Sequence, residues 1–381
     1  VMNKADEFAI KLDRLHRLLD AHELAGLVLA SEANCAWLSC GPDDGAELAG
    51  VTGGRTRIWQ ETERGVAALI VTRDTVYLHG ENIEFPRLAR DEFTGLPFVQ
   101  LAQDWRRSDL AAAVAEVCGA GAAVGYDLYD PALVALPGAR YLGPAITDLR
   151  ASLTQRELVR YRWLCAQAAH IAREVCLALA PGWREAAIVA AAEQRLLTLG
   201  ITNAVPIVTC DGRMWVDRHG LYGDARLERY AMIVFCARKW GLTACLTRLV
   251  HFGPLPDELR AKSAATRRIA RRLHEATRPG TPLATIFTET LLPAYATEGY
   301  PDEPARHHQG GSTGYAGRDT RVTDQSAGAV MPDQAFAWNP SIAGTKTEET
   351  ILARTDGYDI LTHDPNWPLD DETGLPVILE R

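Results

Sequence analysis

Apolar residues near the start of the chain recur at the spacing of an α-helix. The repeating positions are Phe8, Leu12, Leu15 and Leu19. Residues three and four apart share one face of a helix, so this spacing predicts an amphipathic helix. The apolar run Gly26–Ala30 that follows is typical of a short buried strand. An α/β unit is therefore expected at this end of the chain.

The alternation of strands and helices continues to about residue 150. Two apolar runs within Gly65–Gly80 are separated by a short polar turn, which predicts two paired strands. A helix is expected within Asn82–Phe93, and a further helix and strand within Ala111–Leu128. The pattern predicts a compact α/β domain over residues 1–150.

A second domain is predicted to begin near Ala151. Thr154 followed three residues later by Glu157 is the pattern of a capping box, in which each side chain satisfies a free backbone N–H at the start of a helix. A helical stripe of apolar residues then runs to Pro181–Trp183, where proline and glycine end it. After another helix at Glu185–Leu199 the chain becomes rich in β-branched and aromatic residues. We therefore expect a domain that combines helices with strands.

Composition and charge narrow the kinds of partner. The 381 residues are 47% hydrophobic and 23% charged, with a formal net charge of -9, so they offer no basic surface for nucleic acid or an anionic membrane. The eight cysteines form no CxxC pair, which indicates reduced thiols. We find no signal-peptide core and no apolar run long enough to span a membrane. We expect a cytoplasmic protein with a small-molecule or short-peptide substrate.

Common phosphate and dinucleotide motifs do not explain the glycine-rich segment near the C-terminal end. Gln309–Gly314 lacks the GK[ST] end of a phosphate-binding loop, and no serine nucleophile elbow or dinucleotide fingerprint follows a predicted strand. This segment is preceded by two adjacent histidines, His307 and His308. Because an imidazole titrates near neutral pH, these residues are candidates for acid/base chemistry.

The order of segments along the chain resembles the creatinase, prolidase and aminopeptidase P superfamily. The segments that carry the resemblance are Asn34–Gly41, Glu63–Leu88, Pro181–Glu185, Gly241–Gly253, His307–Tyr315 and Trp338–Thr362. The resemblance implies an α/β N-terminal creatinase-like domain over residues 1–150. It further implies an α+β pita-bread domain over residues 151–381, and a homodimer.

Most members of this superfamily hold two divalent metal ions with two aspartates, one histidine and two glutamates. The matching positions in this chain are Val234 or Phe235, then Cys245, Gly311, Asn339 and Glu348. Only Glu348 is a carboxylate, and one carboxylate with an amide and a thiol cannot hold a metal pair. We therefore expect no metal and no cofactor. A single metal on Glu348, Cys245 and a histidine is the less favoured alternative.

Creatinase is the metal-free member of the superfamily, and the resemblance to it implies roles for the residues that remain. It hydrolyses a guanidino C–N bond with a histidine as acid/base, and that histidine matches His219. The catalytic candidates are His219, His307 and Glu348. The substrate-binding candidates are Arg318, Asn339, Arg248, Trp215, Trp338 and Arg55. Arg55, for which Arg57 is the alternative, matches an arginine that the other subunit of creatinase contributes.

Metal-free cleavage of a C–N bond requires proton transfer to nitrogen and stabilisation of developing charge. A histidine can take and return the proton, and an arginine fork suits a carboxylate or an oxyanion. Glu348 is a candidate to orient water or to bind a cationic substrate. Asn339 replaces a carboxylate, so the site suits an amide or a substrate carboxylate better than a guanidinium.

We therefore predict a metal-independent hydrolase of an amide or amidine-like C–N bond in a small amino-acid-derived or peptide-like substrate, with His219 as general acid/base. A catalytically inactive peptidase-like binding module is one alternative. A metal-free tailoring enzyme, either a lyase or a C–C hydrolase, is another. Each candidate also has a structural interpretation: a histidine in a turn, an ion pair of Arg318 with Asp319 or Glu348, a buried Cys245 thiol, or a tryptophan in the core.

Overall fold

The structure, a computed structural model, describes residues 2–41 and 67–381. The chain divides into two compact units. One comprises Val1–Arg150 with Thr154–Glu157, and the other comprises Ala151–Leu153 with Leu158–Arg381. The candidate residues of the glycine-rich segment, together with His219 and Glu348, all belong to the second unit. That these units are separate folding domains stays a prediction.

The N-terminal unit contains a six-stranded mixed sheet. Its strands are β1 Gly26–Leu29, β2 Ala67–Val71, β3 Val76–Glu81, β4 Phe98–Gln103, β5 Val124–Tyr126 and β6 Arg140–Tyr141, in the spatial order β4-β3-β2-β1-β5-β6. The helices are Lys4–Ala21, Glu32–Leu38, Phe85–Arg87, Leu110–Cys118, Pro131–Val134 and Gly143–Leu149, with a π-helix at Leu88–Glu92 and a 3₁₀ turn at Trp105–Arg107. Strands β2 and β3 pair antiparallel, which confirms the expected pairing.

The first helix has the apolar face that its sequence pattern predicts. Phe8, Leu15 and Leu19 are buried, whereas Leu12 at the margin of the stripe is only partly buried. Asn3 begins this helix with a complete capping box, since its side chain accepts from the backbone N–H of Asp6 and the Asp6 side chain accepts from that of Asn3. Local periodicity was sufficient to place this element.

The second unit contains two five-stranded sheets and a short ribbon. The first sheet comprises β7 Thr202–Asn203, β8 Ile207–Cys210, β9 Tyr230–Lys239, β10 Leu242–His251 and β18 Leu379–Glu380. The second comprises β11 Gly310–Thr313, β12 Thr320–Arg321, β13 Ala335–Trp338, β16 Glu349–Arg354 and β17 Gly357–Ile360, and the ribbon pairs β14 Ser341–Ile342 with β15 Thr345–Lys346. The helices are Gln155–Ala178, Glu185–Leu197, Asp257–Ala276, Leu283–Thr285 and Leu292–Thr297, with a π-helix at Ile286–Leu291 and 3₁₀ turns at Asp211–Trp215 and Glu303–Arg306.

The capping box predicted at Thr154 is present. The backbone N–H of Thr154 donates to Glu157 Oε2 at 2.7 Å, and that of Glu157 donates to Thr154 Oγ1 at 3.3 Å. Both otherwise orphaned donors at the start of helix Gln155–Ala178 are thereby satisfied. Among the described residues, no helix combines the length and the apolar character needed to cross a membrane.

The two sheets of the second unit meet along β10 and the start of β16. The backbone N–H of Thr247 donates to the Glu348 carbonyl at 3.1 Å. The N–H of Cys245 donates to Thr350 Oγ1 at 2.9 Å, and that hydroxyl donates back to the Cys245 carbonyl at 2.8 Å. This seam fixes Glu348 beside β10, where the candidate site lies.

Candidate active site

Three histidines converge in the second unit, and we call His219, His307 and His308 the histidine cluster. The Nε2 atoms of His219 and His307 lie 2.9 Å apart, and their rings meet edge to face. The ring centroids of His307 and His308 lie 4.6 Å apart. One ring nitrogen from each histidine lies within 4.8 Å of those from the other two. The structure thus brings the two predicted catalytic histidines into direct contact and places His308 beside them.

Two loops distant in sequence supply the His219–His307 pair. His219 lies in a turn before β9, and Gly220 follows it. A Cβ at Gly220 would lie 2.2 Å from Thr209 Oγ1, so the absence of a side chain lets this turn pack closely on β8. His307 follows the 3₁₀ turn Glu303–Arg306 with an extended backbone, φ −159° and ψ 144°. Packing of these loops, rather than a local motif, sets the distance between the rings.

A hydrogen-bonded network orients the His307 ring. Its Nδ1 lies 3.1 Å from Ser341 Oγ, and the Gln309 side chain donates to the His307 carbonyl at 2.5 Å. Tyr295 in turn donates to the Gln309 side chain. The Nδ1 of His308, by contrast, is buried without a hydrogen-bond partner among the described residues. The cluster therefore has one firmly held ring and one ring with an unsatisfied nitrogen.

The surroundings of the cluster keep its rings neutral at pH 7. Burial, followed by the charge of Lys346, lowers the pKa of His307 to about 2. Burial and then the charge of Arg318 lower the pKa of His308 to about 4. Burial and Lys346 also lower the pKa of His219 below its usual value of 6.5. Neutral imidazoles carry free lone pairs, which a proton acceptor needs.

Beside the cluster lies a carboxylate surrounded by donors, and we call Glu348, Arg318, Lys346 and Thr247 the Glu348 network. Arg318 donates to Glu348 Oε1 at 2.7 Å. Lys346 Nζ lies 2.7 Å from Oε2, and the Thr247 hydroxyl donates to Oε2 at 2.8 Å. Burial alone raises the pKa of the Glu348 carboxyl, but the Lys346 and Arg318 charges and these hydrogen bonds lower it well below its usual range. Glu348 is therefore a fully engaged anion between two cations.

Cys245 extends this network to β9. Its Sγ lies 3.2 Å from Arg318 Nη1 and 3.8 Å from the Sγ of Cys236, its direct cross-strand partner. The hydrogen bond with the Cys236 thiol, together with the Arg318 charge, lowers the pKa of the Cys245 thiol below its usual value, although burial opposes this shift. The Cys245 side chain is fully buried, so it supports Arg318 and is not open to a substrate.

A cavity of about 390 Å³ borders the cluster. His307 and His308 line it together with Phe287, Arg306 and Arg321, among others. Its volume lies within the range of small-molecule sites. Two arginines and an aromatic ring on the wall suit a ligand that carries a carboxylate and an apolar group.

Two predicted substrate contacts lie in structural positions instead. Trp338 is fully buried, stacks on Phe336, and donates from Nε1 to Thr277 Oγ1 at 2.8 Å, which assigns it to the core. Arg248 is buried and donates to the Glu349 side chain and, at 2.9 Å, to the Thr362 carbonyl. Neighbouring residues on a strand point to opposite faces, so Arg248 points away from Thr247 and the site.

The other predicted substrate contacts are Asn339, Trp215 and Arg55, and the two that the structure describes lie in different places. Asn339 is buried, and its Oδ1 has no partner among the described residues; its backbone N–H donates to the Gln309 carbonyl at 3.1 Å. Trp215 is 43% exposed, and a Cβ at Gly344 would lie 2.8 Å from its ring. Asn339 thus lies beside the strand that follows the histidines, whereas Trp215 packs over the β14–β15 turn. Arg55 lies outside the described residues.

Sequence reasoning missed two residues of the site, Lys346 and Ser341. Lys346 precedes Glu348 by two residues, which is the spacing that places side chains on one face of an extended chain. Ser341, the cross-strand partner of Lys346 in the ribbon, contacts His307 across 34 residues of sequence. The spacing of Lys346 and Glu348 was a local signal in the sequence, whereas the contact between Ser341 and His307 arises only from folding.

Gly310–Gly314 also matches the letters of a GxSxG motif. Its serine, Ser312, is buried in the middle of β11 and pairs with Thr320 and Phe336 of the neighbouring strands. A serine nucleophile elbow requires a sharp turn between a strand and a helix. The geometry therefore rules out Ser312 as a nucleophile of that type.

The positions that match the superfamily's metal ligands do not fit a metal pair. Val234 offers no donor, and both Glu348 oxygens already accept from cationic groups. Gly311 has φ +151°, and a Cβ there would lie 1.9 Å from the Thr320 carbonyl oxygen. A histidine side chain at that position would therefore collide with the neighbouring strand. The structure instead places two cations, Arg318 and Lys346, next to Glu348, the residue that matches the last carboxylate ligand by resemblance.

Comparisons with known proteins identify the family. The model of metallopeptidase family M24 matches residues 160–355. No curated protein matches the sequence. The structure is similar to a Xaa-Pro dipeptidase from Bacillus anthracis, with a TM-score of 0.75, 16% identity, and coverage of 98% of this chain and 100% of that chain. It is also similar to the dipeptidase PepE from Mycobacterium ulcerans, with a TM-score of 0.77, 17% identity, and 98% of each chain covered.

A third similar structure is the N-terminal domain of the FACT complex subunit SPT16 from Cicer arietinum. It has a TM-score of 0.66 and 10% identity, and the match covers 94% of this chain and 96% of that chain. The chain belongs to metallopeptidase family M24. Its fold is the pita-bread fold preceded by an α/β domain, as the sequence predicted. This family supports an enzymatic function of the hydrolase class.

Proposed function

We propose that this protein is a metal-independent hydrolase of an amide or amidine-like C–N bond in a small amino-acid-derived or peptide-like substrate. The observation that carries the proposal is the 2.9 Å contact between His219 and His307, next to a cavity that His307 lines. A general base requires a free lone pair and a partner that orients its ring. The histidine pair meets both requirements.

Of the two arrangements of protons that satisfy the contacts of the pair, one leaves a lone pair on His219 free. With Nδ1 of His307 donating to Ser341 Oγ, its Nε2 accepts the proton on Nε2 of His219. The Nδ1 lone pair of His219 is then free. We assign this nitrogen as the base that takes a proton from water, while the water oxygen bonds to the substrate carbon. His219 returns the proton to the leaving nitrogen as the C–N bond breaks, so the ring ends neutral.

Fixed positive charge stabilises the developing anion in this scheme. The charges of Lys346 and Arg318 both act on His219, as its lowered pKa reflects. Preorganised cations stabilise negative charge that develops on a substrate oxygen. Glu348 holds both cations in place, so we propose a positioning role for it rather than direct contact with water.

The proposed substrate carries a carboxylate. Arg306 and Arg321 line the cavity beside the histidines, and guanidinium groups bind carboxylates through paired N–H donors. The names of the structural relatives describe a Xaa-Pro dipeptidase and a dipeptidase, and peptide-like substrates of that size suit a cavity of about 390 Å³. Asn339, neutral and with a free Oδ1 among the described residues, suits an amide. We further propose a cytoplasmic homodimer, with Arg55 as a substrate contact.

The test combines metal analysis with a turnover screen. Chelator-treated and untreated protein are assayed for metal content by elemental analysis, and for turnover of dipeptides, N-acyl amino acids and guanidino acids. We expect equal turnover by both preparations of a substrate that carries a carboxylate. Turnover that disappears with the metal and returns with it would contradict the proposal.

A binding module is the second candidate function. It is favoured by the fold shared with the N-terminal domain of a FACT complex subunit and by the full engagement of Glu348. The same screen separates the two candidates, because a binding module retains its ligand unchanged. Calorimetric binding of a dipeptide without any product would favour this second function.

A further inference from the structure

We propose that the histidine cluster is also a binding site for one first-row transition-metal ion, with Zn²⁺ as the representative ligand. The site uses His219, His307 and His308, which are different residues from the positions that match the superfamily's metal ligands. We further infer that an occupied site blocks hydrolysis, and this second statement rests on the proposed function. The cluster would then be an inhibitory metal site.

The three rings can reach the geometry of a tetrahedral ion by side-chain movement. A zinc ion bound at about 2.0–2.1 Å places its ligand nitrogens about 3.3 Å apart. The His219 and His307 nitrogens lie 2.9 Å apart, and the three ligand atoms lie within 4.8 Å of one another. The His219–His307 separation must widen by about 0.4 Å, and the widest separation in the cluster must narrow by up to about 1.5 Å. His219 lies in an exposed turn, which gives its ring room to move.

The surroundings of His307 are those of a metal ligand. Its Nδ1 is already bonded to Ser341 Oγ at 3.1 Å, which leaves Nε2 as the nitrogen that faces the cluster. Metal-binding histidines commonly use the second ring nitrogen in this way to fix the ring orientation. His308 adds a buried Nδ1 without a hydrogen-bond partner among the described residues. A metal ion beside His308 would provide a favourable interaction for a buried ring that otherwise lacks one at this nitrogen.

Ligand chemistry selects the class of ion. Three imidazoles with no carboxylate favour Zn²⁺, Cu²⁺ or Ni²⁺ over Mg²⁺ and Ca²⁺, which prefer oxygen ligands. Lys346 and Arg318 act on His219 as positive charges, and their ion pairs with Glu348 at 2.7 Å offset part of their repulsion of an incoming cation. The cavity lined by His307 and His308 gives the ion a path to the cluster.

Metal binding and acid/base chemistry compete for the same rings. The proposed base requires the contact with His307 that orients the His219 ring, and a free lone pair on His219 Nδ1. A bound ion instead takes the lone pair of one nitrogen of each neutral ring and leaves the proton on the other nitrogen. An occupied cluster would therefore be unable to orient His219 for proton transfer. This predicts inhibition by stoichiometric zinc, the reverse of the family's usual dependence on metal.

The binding experiment uses the full chain and zinc alone. Zn²⁺ is titrated by isothermal calorimetry into chelator-treated protein, and Co²⁺ is used as a second probe for its visible absorption. We expect one ion per chain, with binding at least about 100-fold weaker in H219A and in H308A. The matched control H170A removes a half-exposed histidine outside the cluster and should bind zinc as the wild type does. Circular dichroism checks that each variant is folded.

The outcomes distinguish this inference from the proposed function. Absence of stoichiometric binding, or binding that both H219A and H308A retain, overturns the site. Binding with loss of turnover, reversed by chelator, supports both the site and its inhibitory role. Binding that increases turnover overturns inhibition and the metal-independent mechanism together. Binding by a protein that turns over no substrate supports the site and contradicts the hydrolase proposal.

Discussion

The Glu348 network and the histidine cluster lie in the same unit but differ in how completely their polar atoms are bonded. Both Glu348 oxygens accept from cations, and one also accepts from Thr247. In the cluster, Nδ1 of His308 has no partner among the described residues, and the two adjacent histidines line a cavity. A satisfied buried network stabilises the fold, whereas an unsatisfied group beside a cavity is available to a ligand.

The Glu348 network and the histidine cluster are expected to serve different purposes. Glu348, which matches the last metal-ligand carboxylate by resemblance to the superfamily, is ion-paired with both Arg318 and Lys346. The three histidines beside it have lowered pKa values, and Nδ1 of His308 has no hydrogen-bond partner among the described residues. We therefore expect changes in the Glu348 network to affect stability first, and changes in the cluster to affect chemistry first.

The largest expected effect is on stability in E348A. Removal of the carboxylate leaves the buried Arg318 and Lys346 charges side by side without an anion, and breaking such a buried pair costs about 3–5 kcal/mol. Urea denaturation followed by circular dichroism measures this loss. The control D359A removes a partly exposed partner of Arg162 and should cost less than about 1 kcal/mol. Equal losses in the two variants would show that the network is not a stability anchor.

The next effect is on turnover in H219A. Loss of the proposed acid/base should lower kcat by about 10²-fold or more on the substrate found in the screen. Stability should change little, because the residue is exposed and loses a single side-chain hydrogen bond. The exposed-helix variant H170A serves as the reference for activity. If H219A keeps wild-type turnover, the general acid/base lies elsewhere.

A smaller effect tests why the family's ligand histidine cannot simply be restored. In G311A the new Cβ would meet the Thr320 carbonyl oxygen at 1.9 Å, and forced overpacking of this kind costs about 1–3 kcal/mol. Gly317 has nothing within 4 Å of an added Cβ, so G317A should be close to neutral. Thermal unfolding of G311A and G317A measures the difference in their stability. A G311A protein as stable as G317A would show that the backbone around Gly311 can shift to accommodate a Cβ at little cost in stability.

The smallest expected effect is the pH dependence of turnover, which tests whether His219 acts as the base. Burial and Lys346 lower the pKa of His219 below 6.5, so the ring is neutral at pH 7 and gains a proton only in more acidic solution. The base must be neutral, so kcat/KM should be flat near pH 7. It should fall about tenfold per pH unit once the pH is below the pKa of His219. An acid limb with its midpoint above pH 7 would be inconsistent with His219 as the base.

Local sequence patterns predicted the local elements well. The stripe through Phe8 and Leu15 became helix Lys4–Ala21, and Thr154 with Glu157 formed the expected capping box. These features depend on contacts within one or two helical turns. Trp338 is the instructive exception: its neighbour Asn339 lies beside the strand of the site, but the tryptophan itself points into the core. Trp338 ends β13 and Asn339 follows the strand, so two adjacent residues that the sequence had grouped together have different surroundings.

The sequence by itself determined which chemical groups this chain can offer. By resemblance to the superfamily, Val234 or Phe235, Cys245 and Gly311 match the positions of metal ligands. No folding of the chain can make a carboxylate or an imidazole at those positions. The sequence likewise determined where along the chain histidine, arginine and lysine side chains are available for a site. Side-chain identity is a local property, so reading it required no structure.

Only the tertiary structure decided which of those groups meet. His219 and His307 are 88 residues apart in the chain, yet their ring nitrogens lie 2.9 Å apart. Arg318 reaches Glu348 across 30 residues, and Thr247 reaches it across 101. Such distances follow from the packing of loops and from the seam between β10 and β16, which no short-range pattern encodes. Folding thereby turned the surviving carboxylate into an anchor and left the histidines beside an open cavity.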